Sequence, residues 1–357
     1  MGSIPKTTNF FKDRPTFGFD IGNGSLKVMQ TVNPGHGKPR IIGYGTTTFN
    51  ASAIKDGVIV DHETIAKATL KLFKTDIIGD ITTNRVIIAI PSYRTFTRSS
   101  TLPPMADKEL TEAVELDAEQ YIPLPSEDLY IDYSVTGKTA EKTDLFVAAV
   151  PRVIVDSQLE LMQILGLETV GVQTTIDAAS TLFAHDKQHD IPAILIDFGS
   201  LSADITICDK QTLVTGTVSG GGTSFTDLIR DKLQVSQAEA QIIKTKYGLG
   251  PSRKQAEIIS ALDPILQQLI KEVKRMIRYY EERYGSKRTI GQVITMGGGA
   301  NMPGLSEYLT SGLRIATRAC DPWSYVDTHG LQAPSSADKP MFATAMGLSL
   351  LNSKELF

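Results

Sequence analysis

Two segments of this chain share one order of residue types. They read FDIGNGSLKVMQ from Phe19 and IDFGSLSADITI from Ile196. Each contains an apolar strand that ends at an aspartate, a turn of glycine and small polar residues, and a second strand. We interpret the pair as an internal duplication of one strand–turn–strand hairpin. The duplication predicts two similar lobes that face each other across a cleft.

Short runs of β-branched residues alternate with longer helical patterns along the chain, which is typical of α/β proteins. A length of 357 residues also favours two lobes over a single core. The clearest predicted strands are Phe17–Asp20, Leu26–Thr31, Ile41–Thr48, Arg85–Ile90 and Thr169–Val172, and the clearest predicted helices are His62–Phe73, Met105–Tyr121 and Val153–Leu165.

Capping residues predict where two of the helices begin. Asp107 is a suitable N-cap for the helix within 105–121. A later helix is predicted to begin with Asp263 as its N-cap and Pro264 at its first position, and to end at Gly285. The pattern between Phe225 and Gly285 is helical throughout.

The composition excludes some classes of function. A net charge of −4 and a pI near 5.8 provide no basic field for nucleic acid. Cys208 and Cys320 lack a metal-binding spacing, and Cys208 is interpreted as a small core residue. No apolar run is long enough to cross a bilayer, and residues 1–15 read as a flexible leader rather than a signal peptide. We expect a cytoplasmic protein that reaches a membrane only through a partner.

The first glycine turn has the chemistry of an anion site. Gly22 and Gly24 let the backbone approach a phosphate, while Asn23 and Ser25 add neutral donors. Lys27 reaches the same phosphate if it faces the cleft. An aspartate beside a phosphate makes sense when a hydrated Mg²⁺ lies between them. Each turn alone is better explained as a plain glycine hairpin, and only the two copies with the same aspartate placement favour a nucleotide site.

Two further glycine clusters lie at strand–helix junctions, SGGGTSFTDLI from Ser219 and VITMGGGANMPGL from Val293. The first places glycines before a helix N-terminus, where we expect free backbone N–H groups. The second exposes bare backbone on which a flat base or a ribose fits. An ordinary strand-to-helix loop is the alternative for the second cluster.

Four motifs, DIGNGSLK, IDFGSLSADIT, MGGGANMPGL and FATAMGLSLL, occur in this order. The order resembles the phosphate-1, phosphate-2, adenosine and second connecting motifs of the actin-like ATPase superfamily. Within it, LDAEQYIPLPSEDLYIDYSV, VIVDSQLELMQILGLETVGV, IKEVKRMIRYYE and GGGANMPGLSEYLTSGL are similar to segments of the type IV pilus assembly protein PilM family. The resemblance covers roughly residues 16–352. AEQYIP is its most specific piece.

The resemblance implies an α/β, actin-like two-lobed fold of duplicated ribonuclease-H-like domains, with the inserted subdomain that this family shares with FtsA. The implied boundaries are a first lobe at 16–96 and 167–190, the insert at 97–166, a second lobe at 191–224 and 290–339, a helical subdomain at 225–289 and a C-terminal helix at 340–357.

The resemblance also implies ATP or ADP with Mg²⁺ between the lobes. Asp20 and Asp197 would hold the metal through water. The implied contacts are Gly22, Asn23, Gly24, Ser25, Gly199, Ser200 and Ser202 for the phosphates, Gly221, Gly222, Thr223, Gln241 and Lys244 for the ribose side, and Gly297, Gly298, Gly299 and Met302 for the adenine.

Two positions depart from the family pattern. Gln241 stands where the family often carries a glutamate, which removes a charge-assisted hydrogen bond to the ribose. Gln173 stands at a strand end where the family commonly shows acidic residues that act on the attacking water. We therefore expect slow hydrolysis or none, unless Asp177 substitutes. A helix N-cap is the alternative role of Asp177.

Three function classes stay open from the sequence. The first is a nucleotide-dependent scaffold that binds the cytoplasmic tail of PilN, as the resemblance implies, with an assembly ATPase, a platform protein and further copies of the chain as other partners. The second is a small-metabolite kinase, but the carboxylates of the insert crowd one helix. The third is a division protein resembling FtsA, but the ending LNSKELF leaves no room for a membrane anchor. The first class would work at the inner face of the cytoplasmic membrane.

Overall fold

The computed structural model describes residues 14–33, 37–184, 191–209, 211–285 and 288–351. The predicted leader lies almost entirely outside these ranges, as does LNSKELF apart from Leu351. Within the described ranges, no helix combines the length and the apolar character needed to cross a membrane.

The strands follow the β-branched runs of the sequence. In chain order they are β1 (Phe17–Ile21), β2 (Ser25–Val32), β3 (Arg40–Thr48), β4 (Ile54–Lys55), β5 (Val58–Ile59), β6 (Ile77–Gly79), β7 (Arg85–Ile90), β8 (Phe96–Leu102), β9 (Leu129–Lys138), β10 (Thr143–Pro151), β11 (Glu168–Thr174), β12 (Ala193–Phe198), β13 (Ser202–Asp209), β14 (Gln211–Ser219), β15 (Gln292–Met296) and β16 (Thr317–Ala319).

The helices cover the sheets and join the lobes. They are α1 (His62–Lys71), α2 (Asp107–Glu119), α3 (Arg152–Ile164), α4 (Thr175–Ala184), α5 (Gly222–Leu233), α6 (Gln237–Lys246), α7 (Gln255–Tyr284), α8 (Leu305–Leu313) and α9 (Ala343–Leu350).

The two main sheets have the same topology. The first has the order β11-β7-β1-β2-β3-β6, and the second has the order β16-β15-β12-β13-β14. In both, the hairpin strands pair antiparallel with each other, and the first of them pairs parallel with its other neighbour. The internal duplication seen in the sequence therefore extends to five strands of each sheet, and β6 is an additional edge strand of the first.

The inserted segment forms a separate sheet with the order β8-β10-β9. Helix α2 covers one face of this sheet, where Leu110 and Val114 pack against Leu145 and Val147. Helix α3 follows, and its Leu161 belongs to the core of the first lobe. The insert also contacts the second lobe, because Ser99 donates a hydrogen bond to the carbonyl of Leu213, with Oγ and O separated by 2.8 Å.

Two predicted helix starts were wrong. Helix α7 begins at Gln255, so Pro264 lies inside the helix and Asp263 does not cap it. The apolar stripe of Ile258, Leu262 and Leu266 continues through the proline into the core, and this packing outweighs the hydrogen bond that proline removes. Helix α2 starts at Asp107 itself. The predicted stop at Gly285 is confirmed, with φ at +82°.

A shared core joins the two lobes beneath the cleft. Met29 of the first lobe and Leu195 of the second belong to one apolar cluster, together with Met346 of α9. All eight residues of α9 are buried. A Cβ on Gly347 would stand 1.7 Å from the carbonyl oxygen of Ala178, so the close contact of α9 with α4 requires glycine.

Candidate functional site

A cavity of about 760 Å³ lies between the two main sheets, at the turns of both hairpins. Sixteen of the residues predicted to contact a cofactor line it. They are Asp20, Gly22, Asn23, Ser25, Lys27, Asp197, Gly199, Ser200, Ser202, Gly222, Thr223, Gln241, Lys244, Gly297, Gly298 and Gly299. The fold thus brings four separate glycine motifs to one place.

Three predicted contact residues lie outside the lining. A Cβ on Gly221 would stand 2.3 Å from the carbonyl oxygen of Gly199, so this glycine permits close packing of two turns. Gly24 accepts a backbone hydrogen bond from Phe49 on the outer side of its turn. Met302 is buried in the core of the second lobe.

The first hairpin places an ion pair in the cavity. Asp20 and Lys27 are opposite each other across β1 and β2. Lys27 Nζ donates to Asp20 Oδ2 at 3.0 Å, and both side chains are largely buried. The charge of Asp20 is therefore already balanced within its own hairpin.

The second hairpin places two carboxylates in the same position. Asp197 and Asp204 are opposite each other across β12 and β13. Burial raises the pKa of Asp197 to about 7, with Asp204 and Asp20 adding to the rise. Burial likewise raises the pKa of Asp204 to about 6, although a hydrogen bond from Thr217 opposes the rise. No cation of the second hairpin balances this pair within the described residues.

The turns offer backbone donors to an anion. Within the described part of the chain, the N–H groups of Asn23, Gly24, Ser200 and Leu201 donate to no protein acceptor. The prediction of free N–H groups at the start of α5 was wrong for Gly222 and Thr223. Their N–H groups donate to carbonyl oxygens of the second turn, with N–O distances of 2.8 and 3.0 Å. The start of α5 positions that turn instead.

Helix α6 supplies a lysine and an amide to the cavity wall. Lys244 Nζ donates to the carbonyl of Gly222 at 2.7 Å and to Thr226 Oγ1 at 2.8 Å. Thr226 Oγ1 lies 2.9 Å from Gln241 Oε1. Burial lowers the pKa of Lys244. Both side chains are thus held by α5 at the edge of the cavity.

The glycine loop after β15 forms another wall. Gly297 has a φ of +81°, and a Cβ there would stand 2.1 Å from Asp197 Oδ1. This glycine therefore leaves room for the carboxylate. Gly298 lines the cavity, but a Cβ on it would have no protein atom within 4 Å. Its open face is a surface for a ligand.

Neither candidate for the water-activating residue lines the cavity. Gln173 lies in β11, opposite Ala89 of β7. Asp177 is in the first turn of α4, and its Oδ2 accepts a hydrogen bond from Thr174 Oγ1 at 2.8 Å. Thr174 Oγ1 accepts in turn from the Asp177 backbone N–H, which is a reciprocal N-terminal capping arrangement. Burial raises the pKa of Asp177.

The structure adds functional candidates that the sequence did not reveal. Asp204 was overlooked, although the strand alternation and turn length place it opposite Asp197. Gln158 of α3 also lines the cavity, is only 2% exposed, and has an Oε1 without a protein partner. Tyr93 lies in the same wall, where burial raises its pKa.

The carboxylates fit a magnesium ion that is held through water. Among the described residues, no group of three or more His, Cys, Asp or Glu side chains is close enough to enclose a metal. Magnesium usually keeps several waters and takes one or two protein carboxylates together with substrate phosphates. Asp197 and Asp204, beside unpaired turn amides, are such a donor set.

Comparison with known proteins decides the family. A sequence model of the type IV pilus assembly protein PilM matches residues 18–353. The chain belongs to the PilM family. A relative at 21% identity is cell division protein FtsA of Streptococcus pneumoniae serotype 2 (strain D39 / NCTC 7466), aligned over 331 residues that cover 81% of this chain and 72% of FtsA.

Solved structures agree on the fold. A PilM-PilN type IV pilus biogenesis complex matches with a TM-score of 0.81 at 22% identity, and the match covers 95% of this chain and 98% of that one. MreB 5 of Spiroplasma citri bound to AMPPNP matches with a TM-score of 0.53 at 13% identity, over 96% of this chain and 95% of that one. The predicted actin-like fold is confirmed.

Proposed function

We propose that this PilM family member binds ATP or ADP with Mg²⁺ between its lobes and uses the nucleotide to control its capture of a PilN cytoplasmic tail. The observation that carries the proposal is the convergence of both hairpin turns and the glycine loop on one cavity with an unbalanced carboxylate pair. The solved relatives support it, since one was determined as a complex of PilM with PilN and another with AMPPNP.

Each group of residues is proposed to have its own task. Free amides of the two turns hold the phosphates. Asp197 and Asp204 hold the hydrated metal, which neutralises phosphate charge when bound. Lys27 stays on Asp20 and gives that side of the cavity no net charge. Lys244 and Gln241 face the ribose side, and the open backbone of Gly298 lies against the base.

The same geometry predicts slow hydrolysis or none. A general base must come within hydrogen-bond distance of the attacking water, directly or through one further water. Asp177 lies off the cavity with its carboxylate bonded to Thr174, and Gln173 is not a base. Of the carboxylates that line the cavity, Asp20 is paired with Lys27, and the other two are proposed to hold the metal. The nucleotide then acts as a ligand whose binding biases the lobe arrangement.

The PilN tail is proposed to bind where α3 meets β9 within the insert. Tyr130 of β9 donates to Asp156 of α3 with an Oη–Oδ1 distance of 3.0 Å, and Arg152 stacks on the Tyr130 ring. Val153 is 57% exposed beside them. Binding there would hold the protein at the inner face of the cytoplasmic membrane through its partner.

The nucleotide test uses Gly298→Leu in calorimetric titration with Mg·ATP and Mg·ADP. The leucine has room in the empty protein but occupies the cavity, so binding should fall at least about 100-fold with an unchanged melting temperature. Gly298→Ala is the matched control, with less than about a ten-fold change. Equal binding by the wild type and the leucine variant would reject the cavity as the nucleotide site.

The partner test uses a synthetic PilN-tail peptide. Val153→Glu places a charge on the proposed contact, while Ile164→Glu places it at the far end of α3, where the side chain is 56% exposed. We expect the first change to weaken peptide binding about ten-fold or more and the second to have little effect. Equal effects would place the peptide elsewhere. Phosphate release, measured with and without peptide, gives the hydrolysis rate.

A further inference from the structure

Helix α3 buries one amide side chain whose oxygen has no protein partner. Gln158 is 2% exposed, and its Oε1 forms no hydrogen bond within the described part of the chain. The same side chain lines the cavity between the lobes. Burying an acceptor without a partner costs free energy, so a glutamine at this place is best explained by a donor that a ligand brings into the cavity.

The neighbours of Gln158 on α3 show which part of the cavity it reaches. Ile154 and Leu161 lie four residues before it and three residues after it, on the same helix face. Ile154 shares an apolar cluster with Ile90, the last residue of β7. Leu161 shares the core of the first lobe with Ile21, the last residue of β1. Because β1 and β7 are parallel, their carboxyl ends meet at one edge of the sheet, and the amide lies at that edge beside the first glycine turn.

The chemistry of the proposed ligand selects the group that Gln158 meets. The base is proposed to lie against Gly298 and the ribose to face Gln241 and Lys244, all on the side of the second lobe, so the phosphates are nearest the first turn. Phosphate oxygens accept hydrogen bonds and offer no proton to an amide oxygen. Water held by the terminal phosphate does donate. Such a water is therefore the expected partner of Oε1.

The opposite face of α3 carries the surface proposed for the PilN tail. At 3.6 residues per turn, Val153 and Asp156 project about 140–160° away from Gln158. Val153 is 57% exposed on that face. One helix of 13 residues thus contacts the cavity on one side and the proposed tail site on the other. A change in the position of α3 at the cavity would move the tail site as well.

We propose that Gln158 distinguishes a nucleoside triphosphate from a diphosphate and that α3 transmits the difference to the tail site. Its Oε1 accepts a hydrogen bond from a water held by the terminal phosphate, and this bond is lost with the diphosphate. A ligand shifts an equilibrium only by its different affinity for the two states, and this bond supplies that difference. The inference rests on the proposed function and names the residue through which the nucleotide would control tail capture.

Gln158→Met tests the hydrogen bond, because methionine is of similar size and lacks a strong acceptor. In calorimetric titration, the preference for Mg·AMPPNP over Mg·ADP should fall about five-fold relative to the wild type. Gln158→Leu removes the same acceptor with a different shape and should agree. Gln163→Met makes the same change at an exposed position of α3 outside the cavity and should keep the wild-type preference.

Two results of that titration would overturn the proposal. An unchanged preference in both Gln158 variants would show that the amide does not sense the terminal phosphate. Equal losses for Mg·AMPPNP and Mg·ADP would place the amide against the ribose or the base, whose donors are common to both nucleotides.

Thermal stability separates a ligand contact from a structural hydrogen bond. Removing a buried acceptor that has no protein partner relieves an unfavourable burial, so the melting temperature of the nucleotide-free protein should stay the same or rise in at least one of the two Gln158 variants. A structural hydrogen bond would make both variants less stable. A clear fall in both, with Gln163→Met unchanged, would therefore overturn the proposal.

The transmission through α3 is measured with the synthetic PilN-tail peptide, titrated into protein saturated with Mg·AMPPNP or with Mg·ADP. The two wild-type affinities should differ at least about five-fold, and Gln158→Met should bring them within about two-fold of each other. Equal affinities in the wild type, or an undiminished difference in the variant, would overturn the inference alone. A wild type that binds no nucleotide or no peptide would instead reject the proposed function, and the inference with it.

Discussion

The two hairpins that face the cavity have the same fold but differ in the charges of their facing residues. In the first, Asp20 is opposite Lys27, and the two form an ion pair at 3.0 Å. In the second, Asp197 is opposite Asp204, and burial raises both pKa values, to about 7 and about 6. The carboxylate of the first hairpin is thus balanced by a lysine, while the described residues of the second hairpin supply no cation to its carboxylates. The difference is why we propose that the metal is held by the second lobe.

The largest effect is expected from making the second hairpin like the first. Asp204→Lys would pair with Asp197 as Lys27 pairs with Asp20, and would leave no site for a cation. We expect Mg·ADP affinity to fall at least about 100-fold in calorimetric titration. Binding of wild-type strength would show that the two hairpins do not differ in function.

A smaller effect is expected when the first hairpin loses its cation. Lys27→Met leaves the largely buried Asp20 carboxylate unpaired, which costs about 3 kcal/mol of stability. The melting temperature of the nucleotide-free protein should fall, and saturating Mg·ADP should restore part of the loss, because the metal supplies positive charge nearby. Lys38→Met, an exposed lysine away from the cavity, is the control. An unchanged melting temperature would contradict the role given to the ion pair.

The third effect depends on pH. The folded pKa of Asp197 is about 7 and its ordinary value is 3.8, so the folded state binds the extra proton and stability falls as pH rises between these values. Asp197→Asn removes that loss. We expect its nucleotide-free melting temperature to exceed the wild type by about 2–4 °C at pH 8 and to match it near pH 4. Asp80→Asn, an exposed aspartate, should show no such pH-dependent gain.

The smallest effect concerns Thr217, whose Oγ1 donates to Asp204 Oδ1 at 2.7 Å. Thr217→Val removes a bond that favours the ionised carboxylate, so the pKa of Asp204 should rise further. Mg·ADP affinity should drop about three- to five-fold near pH 6.5 and less at pH 8, where the carboxylate is ionised anyway. Thr215→Val on the same strand is the control. A loss of equal size at both pH values would point to altered packing.

Local chemistry was enough to predict much of the fold. Arg85–Ile90 was predicted to the residue, because a β-branched run ended by Pro91 has few alternatives. The start of α7 was missed, since the rule for proline is local and the packing of Ile258 and Leu262 is not.

The candidate site also contains residues that local sequence could predict and residues that depend on the packing of distant elements. Turns that repeat a motif were recognisable, and most of their residues meet in the cavity. Asp204 was recoverable from strand pairing, because its hairpin repeats the positions of Asp20 and Lys27. The position of Gln158 could not be predicted from the sequence. Its amide reaches the cavity wall only because α3 packs back against the first lobe.

Helix α9 bears on the release of the nucleotide that we propose for the cavity. Its residues are wholly buried in a core that both lobes share, and Gly347 touches the backbone of α4 with no space to spare. Wide opening of the cavity would have to break that core, so only small rotations about the α4–α9 contact are cheap. Release of the proposed nucleotide should then be slow, so that the occupied state would outlast brief changes in nucleotide supply.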